Sequence, residues 1–124
     1  MNNFFDHLDP LAFDIAANKA TEAPFTGEYD KFFEEGIYYC KACGQELFVS
    51  KDKFDSGCGW PAFSKVSNES AVSLEADYSH GMNRVEVLCS NCGAHLGHVF
   101  NDGPLPTGER YCVNSLSMEF NSDE

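Results

Sequence analysis

Six cysteines are the residues of this 124-residue chain whose types and spacing predict chemistry most directly. Four of them form two Cys-x-x-Cys-Gly motifs, at residues 40–44 and 89–93. The turn after the first thiolate of such a motif brings the second sulfur to the same ion, and the glycine suits the left-handed backbone of that turn. Two motifs supply the four sulfurs of a closed tetrahedral site. We therefore predict one structural Zn²⁺ per chain with four ligands: Cys40, Cys43, Cys89 and Cys92.

Two other interpretations of these four cysteines stay open. A Cys-x-x-Cys motif is also typical of redox pairs and of iron–sulfur ligation, although neither motif follows the βαβ pattern of a thioredoxin. Four buried free thiols are the second alternative. If zinc is bound, protein fills all four of its positions, so the ion has no open position for a catalytic water.

Cys58 and Cys112 lie outside the predicted metal site. In an extended segment 110–115, Cys112 and Asn114 point to one face, beside the guanidinium of Arg110. A neighbouring cation lowers the pKa of a thiol and makes it a better nucleophile. Cys58 lies between two glycines, with little to pack against. The alternative is that Cys112 is a small core residue and Cys58 an incidental surface thiol.

Two histidines, His95 and His98, strengthen the interpretation of Cys112 as a reactive residue. Gly97 leaves room for a β-bulge that turns both rings to one side. Such a pair suits acid–base chemistry near neutral pH. Asp102 could orient a histidine, or serve only as a turn residue. The remaining histidines are expected at the surface: His7 and His80.

Trp60 is the single tryptophan and lies next to the glycine-flanked Cys58. A tryptophan is usually a core residue. The glycine-rich surroundings equally suit an aromatic wall that faces a ligand. The residues alone leave both alternatives open.

Short strands are predicted to position these residues. Alternating apolar and polar residues with frequent Gly and Pro favour an antiparallel β-fold from Gly36 onward. Strands are expected at 72–78, 84–88, 95–100 and 111–120. In the first of these, the apolar residues alternate and are expected on a half-buried face: Val72, Leu74, Ala76 and Tyr78.

Small helices are predicted near the N-terminus. Asp9 and Pro10 form a plausible N-cap and first turn of a helix that reaches Asn18. Residues 26–29 predict a second short turn. Residues 1–35 carry a net charge of −6, half of the total of −12.

Charge and composition argue against nucleic-acid binding and against a disordered chain. With 8 Lys and Arg against 20 Asp and Glu, the chain is a poor partner for nucleic acid, whose phosphates are held by clustered cations. A hydrophobic fraction of 43% excludes a disordered acidic tail. The length fits one domain.

The N-terminal residues show neither a secretory signal nor a transit peptide, and no apolar run approaches the roughly 20 residues that span a bilayer. We therefore expect a cytoplasmic protein that does not enter a membrane. In a reducing compartment cysteines more often bind metal or catalyse than form a disulfide scaffold.

Four motifs together resemble the B-type peptide methionine sulfoxide reductases: Cys40-x-x-Cys43, residues 57–63 (GCGWPAF), residues 93–100 (GAHLGHVF) and residues 110–115 (RYCVNS). The resemblance runs from about Thr21 to Phe120. Residues 1–20 are therefore expected to form an acidic arm with a helix, and residues 21–121 the catalytic domain. One departure is Asn101, where the family pattern has Pro or Asp.

The resemblance implies two antiparallel β-sheets with short N-terminal helices. It also implies thiol-dependent reduction of methionine (R)-sulfoxide, mainly in polypeptides, to methionine. Cys112 would attack the sulfoxide sulfur and become a sulfenic acid. Cys58 would resolve it as a disulfide, which thioredoxin would reduce.

The same resemblance assigns roles to the surrounding residues. His98 would bind and protonate the sulfoxide oxygen with the help of His95, Asp102 and Asn114. The expected substrate-binding residues are Trp60, Phe100 and Arg110, of which the two aromatic rings receive the substrate's methyl group.

Two other functions compete with this one. A zinc-ribbon-like binding module would use both Cys-x-x-Cys motifs but leave Cys112 unexplained. A Cys–His hydrolase would use Cys112 and His98 on an acyl group but has no role for Cys58. Nothing in the sequence demands more than a monomer.

Overall fold

The computed structural model describes residues 4–78, 81–105 and 107–122. Within these ranges the chain forms one α-helix, nine β-strands and short 3₁₀ turns. In chain order they are α1 (Pro10–Asn18), β1 (Ile37–Cys40), β2 (Glu46–Val49), a 3₁₀ turn (Ser50–Asp52), β3 (Lys53–Phe54), β4 (Ala62–Phe63), a 3₁₀ turn (Glu69–Ala71), β5 (Val72–Asp77), β6 (Arg84–Cys89), β7 (His95–Phe100), β8 (Arg110–Val113), a 3₁₀ turn (Ser115–Ser117) and β9 (Met118–Asn121). In the described part of the chain, no helix has the length and apolar character that crossing a membrane requires.

The strands form two antiparallel sheets, which confirms the predicted fold class. One sheet has three strands in the order β2-β1-β9, and the other has six in the order β3-β4-β8-β7-β6-β5. Of the short N-terminal helices that the resemblance implied, the described residues contain one. The second predicted turn is present as turns at residues 28–31.

The helix begins and ends as its sequence predicts. The carboxylate of Asp9 accepts a hydrogen bond from the N–H of Ala12 at 3.0 Å, and Pro10 occupies the first turn. The helix stops at Lys19, whose φ of 63° is left-handed. Ile15 is fully buried, so the apolar side of the helix packs on the sheets.

Aromatic residues from both sheets form the centre of the core. The rings of Phe48 and Phe63 stack with centroids 4.3 Å apart, and Tyr38 meets Phe63 edge-on at 5.1 Å. All three side chains are fully buried. Burying each such ring stabilises the fold by about 1.5–3 kcal/mol. The core thus joins the three-stranded sheet to the six-stranded one.

The strand predicted at 72–78 is present as β5, but its predicted buried face is wrong. Leu74 is 50% exposed and Tyr78 69% exposed. β5 is the edge strand of the six-stranded sheet. Val72 at its start packs against the core, but Leu74, Ala76 and Tyr78 are exposed, so the alternation there does not mark a buried face.

The single strand predicted at 111–120 is also wrong, because the chain changes sheets within it. β8 pairs with β7 and β4 in the large sheet, whereas β9 pairs with β1 in the small one. Asn114 and the 3₁₀ turn at Ser115–Ser117 connect them. Asn and Ser favour turns because their side chains compete for backbone hydrogen bonds, and this signal marks the break.

Candidate active site and metal centre

The four cysteines of the two Cys-x-x-Cys motifs lie together. Their sulfur atoms are all within 4.8 Å of one another. The Sγ atoms of Cys40 and Cys92 are 3.7 Å apart, and those of Cys43 and Cys89 are 3.6 Å apart. Four sulfurs bound tetrahedrally at about 2.3 Å from one ion are separated by about 3.8 Å. The cluster therefore fits a single tetrahedral metal ion.

Each motif turns around a left-handed glycine, as predicted. Gly44 has a φ of 85° and Gly93 a φ of 80°. Their N–H groups donate to the carbonyls of Cys40 and Cys89, each at 2.8 Å. Cys40 ends β1 and Cys89 ends β6. A metal ion held here ties the three-stranded sheet to the six-stranded sheet.

The six-stranded sheet aligns three polar side chains in one row. Cys112 of β8 pairs with His98 of β7, and His98 pairs with Glu86 of β6. Directly paired residues of neighbouring strands carry their side chains on the same face. A thiol, an imidazole and a carboxylate therefore follow one another across this face.

A bulge in β7 adds His95 to the same face. The β6–β7 ladder steps from Gly97 to His95 on β7 while it advances one residue on β6, which leaves Leu96 unpaired. Residues three apart in a regular strand point to opposite faces. Here the rings of His95 and His98 lie 5.5 Å apart. The predicted bulge is confirmed.

Gly97 has a second function, which is to let β7 approach β8 closely. A Cβ atom at this position would overlap the carbonyl oxygen of Cys112. The residue type is therefore required by the spacing of the two strands that carry the thiol and the imidazoles.

Cys58 lies against Cys112. Their Sγ atoms are 2.8 Å apart, and the Cys58 thiol also donates to the carbonyl of Trp60 at 3.3 Å. The loop that carries Cys58 needs left-handed glycines on both sides, with φ of 74° at Gly57 and 99° at Gly59. The two cysteines that the metal site does not use thus form a contact pair.

Arg110 contacts the Cys112 sulfur and fixes its own position through Asp102. Its Nη1 donates to Cys112 Sγ at 3.0 Å, while Nε and Nη2 donate to the two Asp102 oxygens at 2.8 and 3.1 Å. The guanidinium also lies over the ring of Phe100, 4.5 Å from its centroid. Hydrogen bonding to Asp102 raises the pKa of Arg110, so the guanidinium stays charged beside the thiol.

The two thiols titrate as a pair. Burial and the contact with Cys58 raise the pKa of Cys112 to about 12, although Arg110 acts to lower it. For Cys58, burial acts to raise the pKa, but hydrogen bonds with Cys112 and Ser56 outweigh it and lower the pKa. Thiols in contact lose their protons in two steps that belong to the pair. The predicted lowering of the Cys112 pKa is therefore not seen while Cys58 lies beside it.

A cleft of about 270 Å³ opens over these residues. Its size is near the lower end of the range for small-molecule sites. The structure brings eight of the nine predicted catalytic and substrate-binding residues to its lining: Cys58, Trp60, His95, His98, Phe100, Arg110, Cys112 and Asn114.

Asp102 is the predicted site residue that does not line the cleft. Its side chain is 65% exposed and pairs with Arg110 rather than with a histidine. The carboxylate that contacts His98 is Asp77 of β5, whose Oδ2 lies 2.7 Å from Nε2 of the ring.

The amide of Asn114 is engaged at both ends. Its Nδ2 donates to the Leu96 carbonyl at 3.0 Å, and its Oδ1 accepts from the Glu22 N–H at 3.0 Å. The indole N–H of Trp60 donates to the Glu22 carbonyl, also at 3.0 Å. The segment after α1 therefore holds two predicted site residues in place.

Sequence reasoning missed four polar residues at or beside the cleft. Thr21 and Arg84 line it, Asp77 contacts His98, and Glu86 contacts His95. Arg84 and Glu86 alternate with valines in β6, which marks them as residues of one strand face. That this face is the one with Cys112 depends on strand pairing, which the local pattern does not contain.

The other two histidines are outside the cleft or outside the described residues. His7 is exposed, as predicted, and its Nε2 donates to the Ala42 carbonyl at 2.8 Å. His80 lies in the part of the chain that the structure does not describe.

Comparison with known proteins agrees with this set of cleft residues and with the four-cysteine cluster. Residues 8–122 match the family model of the SelR domain. The chain is 54% identical over 112 residues to peptide methionine sulfoxide reductase MsrB of Variovorax paradoxus (strain S110), which covers 90% of this chain and 82% of that protein. It is 53% identical over 117 residues to the MsrB of Methanosarcina barkeri (strain Fusaro / DSM 804), covering 94% and 82%.

A further relative is methionine-R-sulfoxide reductase B3, mitochondrial, of Mus musculus. The identity is 54% over 113 residues, which are 91% of this chain and 45% of the mouse protein. These relatives place the chain among the oxidoreductases, and the contact between Cys58 and Cys112 in the cleft is consistent with that class. The chain belongs to the SelR domain family of B-type peptide methionine sulfoxide reductases, as its motifs predict.

Replacing one sulfur of the cluster should remove the metal and destabilise the fold together. In Cys43→Ser or Cys89→Ser, three sulfurs remain, and a structural zinc ion can contribute on the order of 10 kcal/mol to folding. Elemental analysis and thermal denaturation measure the two effects. Cys58→Ser is the matched control and should keep its metal. Full metal content in Cys43→Ser would contradict the assignment.

Removing Cys58 should lower the pKa of Cys112. Cys58 raises that pKa through its hydrogen bond and charge, and its loss leaves Arg110 to stabilise the thiolate. In Cys58→Ser, the midpoint of Cys112 alkylation by iodoacetamide, followed by peptide mass spectrometry, should move to lower pH. Adding Arg110→Met should move it back up. A midpoint that stays in place or rises in Cys58→Ser contradicts the pairing.

Proposed function

We propose that this protein reduces methionine (R)-sulfoxide, mainly within polypeptides, to methionine. The observation that carries the proposal is the contact of Cys112 with Cys58, 2.8 Å between sulfurs, in a cleft lined by two histidines. A sulfoxide needs a soft thiolate that takes its oxygen and a second thiol that removes it again. Both thiols are present at one place, and the relatives named above are sulfoxide reductases.

In the first step the Cys112 thiolate attacks the sulfoxide sulfur. One proton is taken up, the oxygen moves to Cys112 as a sulfenic acid, and methionine leaves. Arg110 supports this step because its Nη1, 3.0 Å from Cys112 Sγ, favours the thiolate. Hydrogen bonding to Asp102 keeps the guanidinium in this place.

The proton for the sulfoxide oxygen comes from the histidines of the cleft. His98 is oriented by Asp77, which lies 2.7 Å from its Nε2. His95 is buried beside it. Asn114 is bonded to backbone on both sides, so we assign to it the positioning of the cleft wall near Leu96.

The substrate's methyl group packs against the aromatic part of the cleft. Trp60 is fixed through its indole N–H, and Phe100 lies beneath the Arg110 guanidinium. Two rings that line the cleft together with the thiol suit the small apolar end of a methionine side chain. A cleft of about 270 Å³ accommodates the side chain, and the rest of a polypeptide substrate stays outside it.

In the second step Cys58 attacks the sulfenic acid, a disulfide forms and water leaves. The separation of 2.8 Å needs only a small movement to reach a bond of about 2.05 Å. Cys58 is half-buried, so an external dithiol has access to the disulfide. We assign this role to thioredoxin, which becomes the oxidised partner while both cysteines return to thiols.

The metal cluster is assigned to zinc, which prefers a tetrahedron of four thiolates. The residues that hold it are all protein sulfurs, so its contribution is to join the two sheets. A reducible disulfide and an intact thiolate cluster suit the cytoplasm, where thioredoxin keeps thiols reduced. We assign a monomer, because this chain by itself supplies both thiols and both histidines that the proposed reaction uses.

A single-turnover experiment tests the chemistry. Reduced protein is mixed with methionine (R)-sulfoxide without reductant, and the cysteines are mapped by mass spectrometry. We expect about one equivalent of methionine and a disulfide between Cys58 and Cys112, the product of a sulfenic acid and a thiol. The cluster cysteines should stay unmodified. The S epimer is the matched control and should release little methionine.

Two variants separate the two thiols. Cys112→Ser should release no methionine. Cys58→Ser should still complete the first turnover and leave a sulfenic acid that dimedone traps, while cycling driven by thioredoxin falls. Equal turnover in Cys112→Ser refutes the proposed reaction. Unchanged cycling in Cys58→Ser refutes only the assigned resolving step.

A further inference from the structure

Glu86 is a buried carboxylate that the mechanism above does not use. It lies in β6, and its side chain is only 1% exposed. Oε1 accepts from Lys19 Nζ at 3.0 Å, and Oε2 lies 2.7 Å from Nδ1 of His95. Taking a carboxylate out of water is costly unless such partners compensate it. The mechanism above does not explain why a buried carboxylate lies in contact with a histidine of the cleft.

His95 is the only one of these partners that faces the cleft. Its ring is buried, and within the described ranges its Nε2 has no hydrogen-bond partner. Buried polar atoms are rarely left unpaired in native structures. An unpaired ring nitrogen in the lining of a binding cleft therefore marks the place of a polar atom of the ligand.

The contact with Glu86 determines which nitrogen of His95 faces the ligand. An ionised carboxylate only accepts hydrogen bonds, so Nδ1 of His95 must carry the hydrogen. In the neutral ring Nε2 is then the bare nitrogen. Lys19 donates to the other oxygen of Glu86, so both carboxylate oxygens lie against nitrogen atoms.

We propose that Glu86 is a positioning residue of the reaction, which orients His95 so that its Nε2 exchanges a proton with the bound sulfoxide oxygen. The proposal rests on the proposed function, because it assigns this oxygen as the partner of Nε2. Nε2 takes a proton from solvent, donates it to the sulfoxide oxygen as that oxygen moves to Cys112, and becomes bare again. Glu86 stabilises the protonated ring because its Oε2 accepts the hydrogen bond from Nδ1.

The charges around His95 act in opposite directions. Burial lowers its pKa and Glu86 acts to raise it, while His98 and Lys19 act to lower it. Other charged or titratable groups belong to strands that line the same face: Glu75 and Asp77 of β5, Arg84 of β6, Arg110 and Cys112 of β8. Of all these groups, Glu86 alone is hydrogen-bonded to the His95 ring among the described residues.

Nuclear magnetic resonance of the metal-loaded protein without substrate tests the geometry directly. Long-range ¹H–¹⁵N correlations of the His95 ring should show the hydrogen on Nδ1 and a bare Nε2. A ring with its hydrogen on Nε2 would overturn the proposal, whatever the variants do. This measurement needs no turnover, so it is separate from the test of the proposed function.

Two variants with opposite expected signs extend the test. Glu86→Gln, which is nearly isosteric, should lower the pKa of His95 because it removes the negative partner. Lys19→Met is the matched control and should raise that pKa, since it removes the positive one. Zinc content and circular dichroism establish that both are folded. Shifts of the same sign in the two variants would mean a general structural effect and overturn the proposal.

Single-turnover rates link this geometry to the reaction. In Glu86→Gln methionine release should fall by about tenfold to a hundredfold at neutral pH, the scale of a lost general acid. The loss should shrink towards acidic pH, where the ring is protonated without Glu86, and the KM should change little. A loss that is equal at all pH values contradicts the positioning role. No turnover in the unmodified protein would refute the proposed function and leave the resonance result standing.

Discussion

The antiparallel register of β6, β7 and β8 is the constraint on which the site depends. It sets Glu86, His98 and Cys112 in one row, and the bulge at Leu96 adds His95 to the same face. A shift of one residue in either ladder would send these side chains into the core. Hydrophobic burial on the opposite face resists such a shift, because Val87 and Val113 are fully buried there.

That the candidate site residues lie close together was largely predictable from sequence, because their signals are local. A few adjacent residues are enough to recognise each of these signals: the two Cys-x-x-Cys-Gly motifs, the helix cap at Asp9 and the bulge at Gly97. The resemblance to a known family then added the pairing of Cys58 with Cys112. When several short sequence signals are all consistent with one fold, each makes the prediction of that fold more reliable.

The rest depends on contacts between distant segments. Asp77 and Glu86 look like ordinary polar residues of alternating strands, and only strand pairing places them beside the histidines. The same limit explains the wrong buried face of β5, since alternation predicts two faces but does not say which is covered. The electrostatic effect of Cys58 on Cys112 likewise follows from a contact between residues 54 positions apart.

The hydrogen bond from the Glu22 N–H to Asn114 joins residues 92 positions apart. At synthesis rates of roughly 5–20 residues per second, Glu22 is added to the chain about 5–20 s before Asn114. For roughly 3–11 s of that interval the nascent chain holds Cys58 without Cys112, which lies 54 positions further on. Folding of the cleft must therefore wait for the last strands, as it does in folds dominated by non-local pairing. Until they arrive, the Cys58 thiol has no Cys112 with which to form a disulfide.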